Sequence, residues 1–185
     1  MKLFFKKTET AFTLIELMVV ISIIGILSSI VYASFGEARA QSRDKVRMSG
    51  LKELQLSIEL YRAQVGRYPA KGCGGATDFA GPGPTGGTSG FASCAGYISS
   101  LVPDFIPALP QDPRFENDNN RGYYYRTDAN GTAYKLMLFN VVESLEVTGV
   151  GDEFARCPSA APGGACASGI PTSTYAVYSA GAENW

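Results

Sequence analysis

Residues 12–36 read FTLIELMVVISIIGILSSIVYASFG. From Leu17 to Gly36, 20 consecutive positions carry no charge. About 20 apolar residues cross a ~30 Å hydrocarbon core as one helix. A removable secretory signal has a shorter apolar core, about 7–15 residues, and a small-residue cleavage site. Here Ala33 and Ala38 flank Ser34, Phe35, Gly36 and Glu37, a poor match to such a site. The stretch reads as a retained membrane helix, and its simplest role is an anchor. Glu16 breaks that reading. A carboxylate in a membrane helix costs about 2–3 kcal/mol toward the centre, so it either stays at headgroup level or has a partner.

Outward from this stretch the chain is ordinary. It has 185 residues, 45% hydrophobic and 18% charged, with a formal net charge of −1. Its mean hydropathy of +0.02 is high for 21 glycines and 10 prolines, and the 12–36 stretch accounts for it. Near-neutral charge argues against a basic nucleic-acid binder. The chain contains no histidine. That excludes Ser-His-Asp and Cys-His catalysis and every His-containing zinc site, and no other residue pattern favours an enzyme. Charge does not orient the span. Lys2, Lys6 and Lys7 precede it, and Arg39, Arg43, Lys45 and Arg47 follow, so the positive-inside rule is undecided.

The run KKTETA before Phe12, followed by FTLIELMVVISIIGIL, resembles the processing and assembly signature of type IV pilin-like proteins, which include type II secretion pseudopilins. The resemblance implies a leader, residues 1–11, cut between Ala11 and Phe12 on the cytosolic side by a membrane prepilin peptidase. It implies N-methylation of the new Phe12 amine, and it makes Glu16 the carboxylate of filament assembly. One departure is Ala11, where the family usually has Gly. The physics fits the implied role: a Phe12 ammonium on one subunit neutralises Glu16 on its neighbour, and two charges paired in low dielectric avoid a penalty each would suffer alone. Cleavage removes three lysines and Glu9 and leaves a net charge of −3.

No proline occurs between Met1 and Pro69. Leu51, Leu54, Ile58, Tyr61 and Val65 recur at 3-4-3-4 spacing, one stripe of a helix, which Leu56 and Leu60 widen. Val65-Gly66, with Pro69 just beyond, reads as a helix end with a left-handed glycine. One helix from Phe12 to Val65 would be roughly 80 Å long, with Gly25, Gly36 and Gly50 as weak points. The closing Gly66-Arg67-Tyr68-Pro69 also resembles the family. The expected organisation is a leader over 1–11, the membrane and assembly half of the helix over 12–36, its amphipathic half over 37–66, and a globular head over 67–185.

Residues 72–96 hold nine glycines and read as a loop. The connector beginning Tyr97-Ile98 and ending Leu109-Pro110-Gln111-Asp112-Pro113 resembles one common in bacterial pseudopilins. Strands are expected over Gly122–Thr127, Thr132–Val142 and Thr174–Ser179, with Asp128-Ala129-Asn130-Gly131 as a hairpin turn. One face of such an antiparallel meander can cover the helix stripe. The fold class is α+β: a long N-terminal helix packed on a small antiparallel β-meander head with disulfide-closed loops.

Four cysteines allow three pairings. The local pairing, Cys73–Cys94 with Cys157–Cys166, closes two Gly-rich loops, and all four lie beyond the span, which favours an oxidising compartment. Free thiols are the alternative; a zinc site lacks C-x-x-C spacing. Hard cations take carboxylate oxygens, and the resemblance to secretion pseudopilins implies calcium in the C-terminal loops. Asp112, Asp118 and Asp152 are the candidates; no other cofactor is expected. Against them stands the ordinary reading of Asn/Asp runs as solvated turns.

The expected function is that of a non-enzymatic filament subunit, a single-pass protein of the cytoplasmic membrane with an extracytoplasmic head. Its partners would be copies of itself and related pilins, the prepilin peptidase, an inner-membrane assembly platform and the membrane, with no nucleic acid. A type II secretion pseudopilin is favoured by the G-R-Y-P end and the connector. A surface pilin for adhesion, twitching or DNA uptake is favoured by the disulfide-closed loops. A plain membrane-anchored binding protein would need neither Phe12 nor Glu16.

Overall fold

The computed structural model describes residues 12–75, 78–82, 91–114, 121–144, 154, 156, 174–183 and 185. The chain divides into two compact units with the boundary between Arg39 and Ala40. One helix, α1 (Leu14–Val65), runs through the boundary. The first unit is the apolar part of α1. Every leucine, isoleucine and valine described from Leu14 to Ile30 is at least half exposed, and none of the other described residues covers them.

In the second unit, α1 turns one face inward. Leu51, Leu54 and Ile58 are fully buried and Tyr61 packs against them. The expected widening of this stripe by Leu56 and Leu60 is not observed: both are exposed, as is Val65. At ~100° per residue, Leu56 and Leu60 project about 160° from the Leu54–Ile58 line, on the opposite face. The helix stops at the predicted glycine. Gly66 has φ +84° and its N–H donates to the Arg62 carbonyl at 2.8 Å, a left-handed C-terminal cap.

Among the described residues five strands follow: β1 (Phe79–Gly81), β2 (Phe91–Ser93), β3 (Gly122–Thr127), β4 (Tyr134–Phe139) and β5 (Tyr175–Tyr178). They form one sheet in the order β2-β1-β3-β4-β5. The β3-β4-β5 part is the expected antiparallel meander. Two further strands lie inside the stretch read as a loop. β1 pairs antiparallel with β3 through Ala80 and Tyr125, and β2 pairs parallel with β1, so the sheet is mixed. Strands of three residues carry no usable periodicity; what holds them is their pairing and the packing of Phe79 and Phe91. β4 is shorter than expected because Asn140 turns the chain at φ +55°.

The hairpin between β3 and β4 is built on Asp128. Its carboxylate accepts from the Thr132 and Ala133 amides at 2.6 and 2.8 Å and from the Thr132 hydroxyl at 2.8 Å. Gly131, at φ +67°, accepts from the Tyr68 amide at 2.8 Å and so ties the turn to the end of α1.

The sheet buries both faces. Tyr123, Tyr125, Tyr134, Leu136, Leu138, Tyr175 and Val177 join Leu51, Leu54 and Ile58 in the main core. The outer face holds Phe79, Tyr124, Met137 and Ala176, with Phe91, Phe139, Tyr178 and Trp185 packed on them. The helix-side packing explains Gly50. A Cβ there would lie 2.5 Å from the Tyr123 hydroxyl, which donates to the Arg47 carbonyl at 3.1 Å. The glycine marks close approach of helix and sheet rather than a weak point. Gly50→Leu is expected to lower stability by about 1–3 kcal/mol through overpacking. Chemical denaturation of the purified protein would show it as an earlier midpoint at unchanged slope.

Candidate functional site

Three groups of residues stand out, each built by a local feature of the sequence. The first is at the start of α1. Thr13 precedes the first helical residue and Glu16 follows three places on. The Thr13 amide and hydroxyl both donate to Glu16 Oε2 at 2.8 Å, while the Glu16 amide donates to Thr13 Oγ1 at 3.3 Å. This reciprocal arrangement is a capping box. It satisfies helix-end amides that have no partner within the helix, and it gives Glu16 a partner within its own chain. Phe12 is 88% exposed. Ala11 lies outside the described residues. From this end the helix is long and apolar enough to cross a membrane, by length and composition.

The second group braces α1 to the head. Arg47 is 1% exposed. Its guanidinium donates to Asp112 at 2.5 and 3.0 Å, to Asp44 at 2.7 Å and to Glu143 at 2.8 Å. Asp44, also buried, accepts from the Glu143 amide at 3.0 Å and from the Ser144 amide and hydroxyl at 2.7 and 2.8 Å. Arg43 and Arg114 pair with Glu143 from the outside. Burial works against the Arg47 charge, yet the carboxylates of Asp112, Glu143 and Asp44 hold its pKa above the ordinary value. Hydrogen bonding from Arg43, and then from Arg47, outweighs burial and brings Glu143 down to about 2. The network ties one helix face to the segments around residues 112 and 143. A buried guanidinium facing three carboxylates leaves no buried charge unpaired.

Sequence reasoning missed Arg47, Asp44 and Glu143. A signal was present: Asp44 and Arg47 continue the 3-4 spacing of Leu51, Leu54 and Ile58, so they fall on the buried face. Asp112, named as a cation ligand, is 7% exposed. Its oxygens accept from Arg47 and from the Arg114 amide at 2.7 Å. Asp118 and Asp152 lie outside the described residues. Among the described residues no group of three or more His, Cys, Asp or Glu side chains is placed to hold a metal.

The third group is the loop closed by cysteine. Cys73 and Cys94 form a disulfide across 21 residues, a closure worth ~3 kcal/mol in chain-entropy terms. Lys71, just before the loop, donates from its ammonium to the Gly75 carbonyl and, at 3.0 Å, to that of Asp78. Cys157 and Cys166 lie outside the described residues.

Comparison with known proteins bears on the first group. The family described as the prokaryotic N-terminal methylation motif matches residues 6–32, which contain Ala11, Phe12, Thr13 and Glu16. The chain is 33% identical over 64 residues to the type II secretion system core protein G of Aeromonas hydrophila. That match takes in 35% of this chain and 45% of the relative, so it spans about half the relative's length. No solved structure matches. The capped carboxylate, three residues into an apolar helix, thus lies inside the stretch that matches the methylation motif.

Proposed function

We propose that the chain is a non-catalytic subunit of a pilus-like filament, cut between Ala11 and Phe12, N-methylated at Phe12, and assembled from the membrane as a type II secretion pseudopilin. The observation that carries this is Glu16. It is the one acidic residue between Phe12 and Gly36, on a helix surface that none of the other described residues covers. A plain anchor has no use for it. In a filament the ammonium of a neighbouring Phe12 pairs with it, and the uncovered apolar surface packs on other subunits. The similarity to a protein named as a type II secretion component supports that system over a surface pilus. The head would then stand outside the cytoplasm, where the Cys73–Cys94 disulfide persists.

Mass spectrometry of the purified membrane form is the direct test. The expected N-terminus is Phe12 carrying one methyl group. An intact Met1, or a cut elsewhere, would return the chain to a simple anchored protein. A deletion strain assayed for secretion and for surface fibres then separates the two filament systems. Lost secretion with surface fibres intact supports the pseudopilin; the reverse supports a surface pilin.

A further inference from the structure

The turn between β3 and β4 carries the chain's one Asn-Gly pair, Asn130-Gly131. In such a pair a side-chain amide lies beside a backbone nitrogen that no neighbouring Cβ shields. Asn130 is exposed at the tip of the hairpin. Gly131 is fixed by the fold. Its φ is +67°, and a Cβ there would lie 2.9 Å from the Tyr68 carbonyl oxygen and 3.1 Å from the Arg67 Cβ. The close approach of the turn to Tyr68 therefore keeps a chemically weak pair in an exposed place.

The same turn holds the pair back from reaction. The Gly131 nitrogen donates to the Asp128 carbonyl at 3.1 Å, and the Gly131 carbonyl accepts from the Tyr68 amide at 2.8 Å. The Asn130 amide donates to Asp128 Oδ2 at 3.3 Å. Beyond the pair, Asp128 Oδ1 holds the Thr132 and Ala133 amides at 2.6 and 2.8 Å. Attack by the Gly131 nitrogen on Asn130 Cγ needs that nitrogen to leave Asp128 and the flanking backbone to turn. The reaction therefore waits for local opening, which an exposed loop reaches at a lower free energy than global unfolding.

We propose that Asn130 is a self-modification site gated by the hairpin: it loses its side-chain amide only while the turn is detached from Tyr68, and the isoaspartate that results keeps the turn detached. In the open turn the Gly131 nitrogen forms a bond to Asn130 Cγ. Its proton passes through water to the departing side-chain nitrogen, which leaves as ammonia. Water then opens the cyclic imide. Cleavage at the Cγ carbonyl leaves aspartate; cleavage at the main-chain carbonyl leaves isoaspartate, whose backbone runs through Cγ. Water is the sole co-reactant, and nothing is oxidised or reduced. Isoaspartate adds one methylene to a turn pinned on both sides, so Gly131 no longer reaches both Asp128 and Tyr68. It also sets a second carboxylate beside that of Asp128. The change is one-way, and it unties the turn from the end of α1.

The test holds the detergent-solubilised full chain at pH 8 and 37 °C, folded and in urea, and follows residue 130 by peptide mass spectrometry. The expected loss of the amide is at least tenfold slower in the folded chain than in urea. Asp128→Ala frees Thr132 and Ala133 and is expected to raise the folded rate at least threefold. Equal rates in folded and unfolded chain overturn the proposal, as do an unchanged rate in Asp128→Ala and an Asn130 that stays intact in urea. Should Asp128→Ala not fold, Thr132→Val serves, since it removes only the hydroxyl bond to Asp128; an unchanged rate there overturns the gate equally. The isoaspartate fraction is then separated by chromatography and read by hydrogen exchange in the peptide that holds Tyr68. The Tyr68 amide is expected to exchange at least tenfold faster than in the unmodified chain. Equal protection would show that the turn seats again, and would overturn the one-way step.

Discussion

Arg47→Ala is expected to cost the head about 3–5 kcal/mol, because it breaks a buried ion network. The substitution removes the cation that, among the described residues, Asp44 and Asp112 share in the interior. Asp44 would keep its backbone donors at residues 143 and 144, but its charge would be buried without a counter-ion. Stability of this size is a large fraction of a domain's total, so the variant is expected to be largely unfolded at growth temperature. Urea denaturation of the purified protein is the measurement. A loss below about 1 kcal/mol would mean that the brace is water-exposed in solution. Arg47→Met combined with Asp112→Leu and Asp44→Asn removes the charges together. It should recover much of the loss, because buried ion networks are often replaceable by apolar packing.

The same network sets the response to acid. Glu143 has a folded pKa of about 2, below its ordinary 4.5. A carboxyl depressed by folding contributes stability that is fully present above its unfolded pKa and is lost as pH falls through the folded one. The head should therefore weaken between pH 4.5 and pH 2, and Glu143→Gln should flatten that part of the profile. Thermal midpoints recorded across this window decide the matter.

The path of α1 was legible because its signals are local. The apolar run, the 3-4 spacing of Leu51, Leu54 and Ile58, and the stop at Gly66 depend on neighbours within a turn or two. The β3-β4 hairpin was legible for the same reason, since Asp128 supplies its turn from its own side chain. β1 and β2 were not, because a three-residue strand exists only through its partner: β1 rests on β3, as Ala80 does on Tyr125, and β2 rests on β1. Lys135 and Arg47 were hidden by the opposite problem. Each occupies a position that periodicity places on a face of its element, and residue type then argues for water. Lys135 alternates with Tyr134 and Leu136 as a solvent-facing residue should, yet it is buried, with Glu183 and Trp185 accepting its hydrogen bonds. Of the N-terminal group, Glu16 was conspicuous by charge, whereas its pairing with Thr13 needed the T-x-x-E spacing to be read as a capping box.

Glu16→Ala is expected to abolish filaments while leaving membrane insertion intact or slightly improved. The two outcomes separate because they depend on Glu16 with opposite sign. Insertion of a single helix is opposed by the carboxylate, at about 2–3 kcal/mol toward the bilayer centre, so its removal favours the inserted subunit. In the proposed filament, assembly would use the carboxylate, which would give each subunit a fixed axial position relative to the Phe12 ammonium of its neighbour. The Thr13 capping box sharpens the expectation. In the lone subunit Glu16 already accepts two hydrogen bonds, so the neighbour's ammonium must add to or displace these. Glu16→Gln can keep the hydrogen bonds to Thr13 and loses only the charge. If the charge is what selects the register, Glu16→Gln fails to assemble as completely as Glu16→Ala; if capping the helix is the whole role, Glu16→Gln assembles normally. Fractionation of membranes gives the inserted amount, and electron microscopy of sheared fibres gives the assembled amount. Normal fibres from Glu16→Ala would remove the assembly role of Glu16 altogether and leave the capping box as its only function.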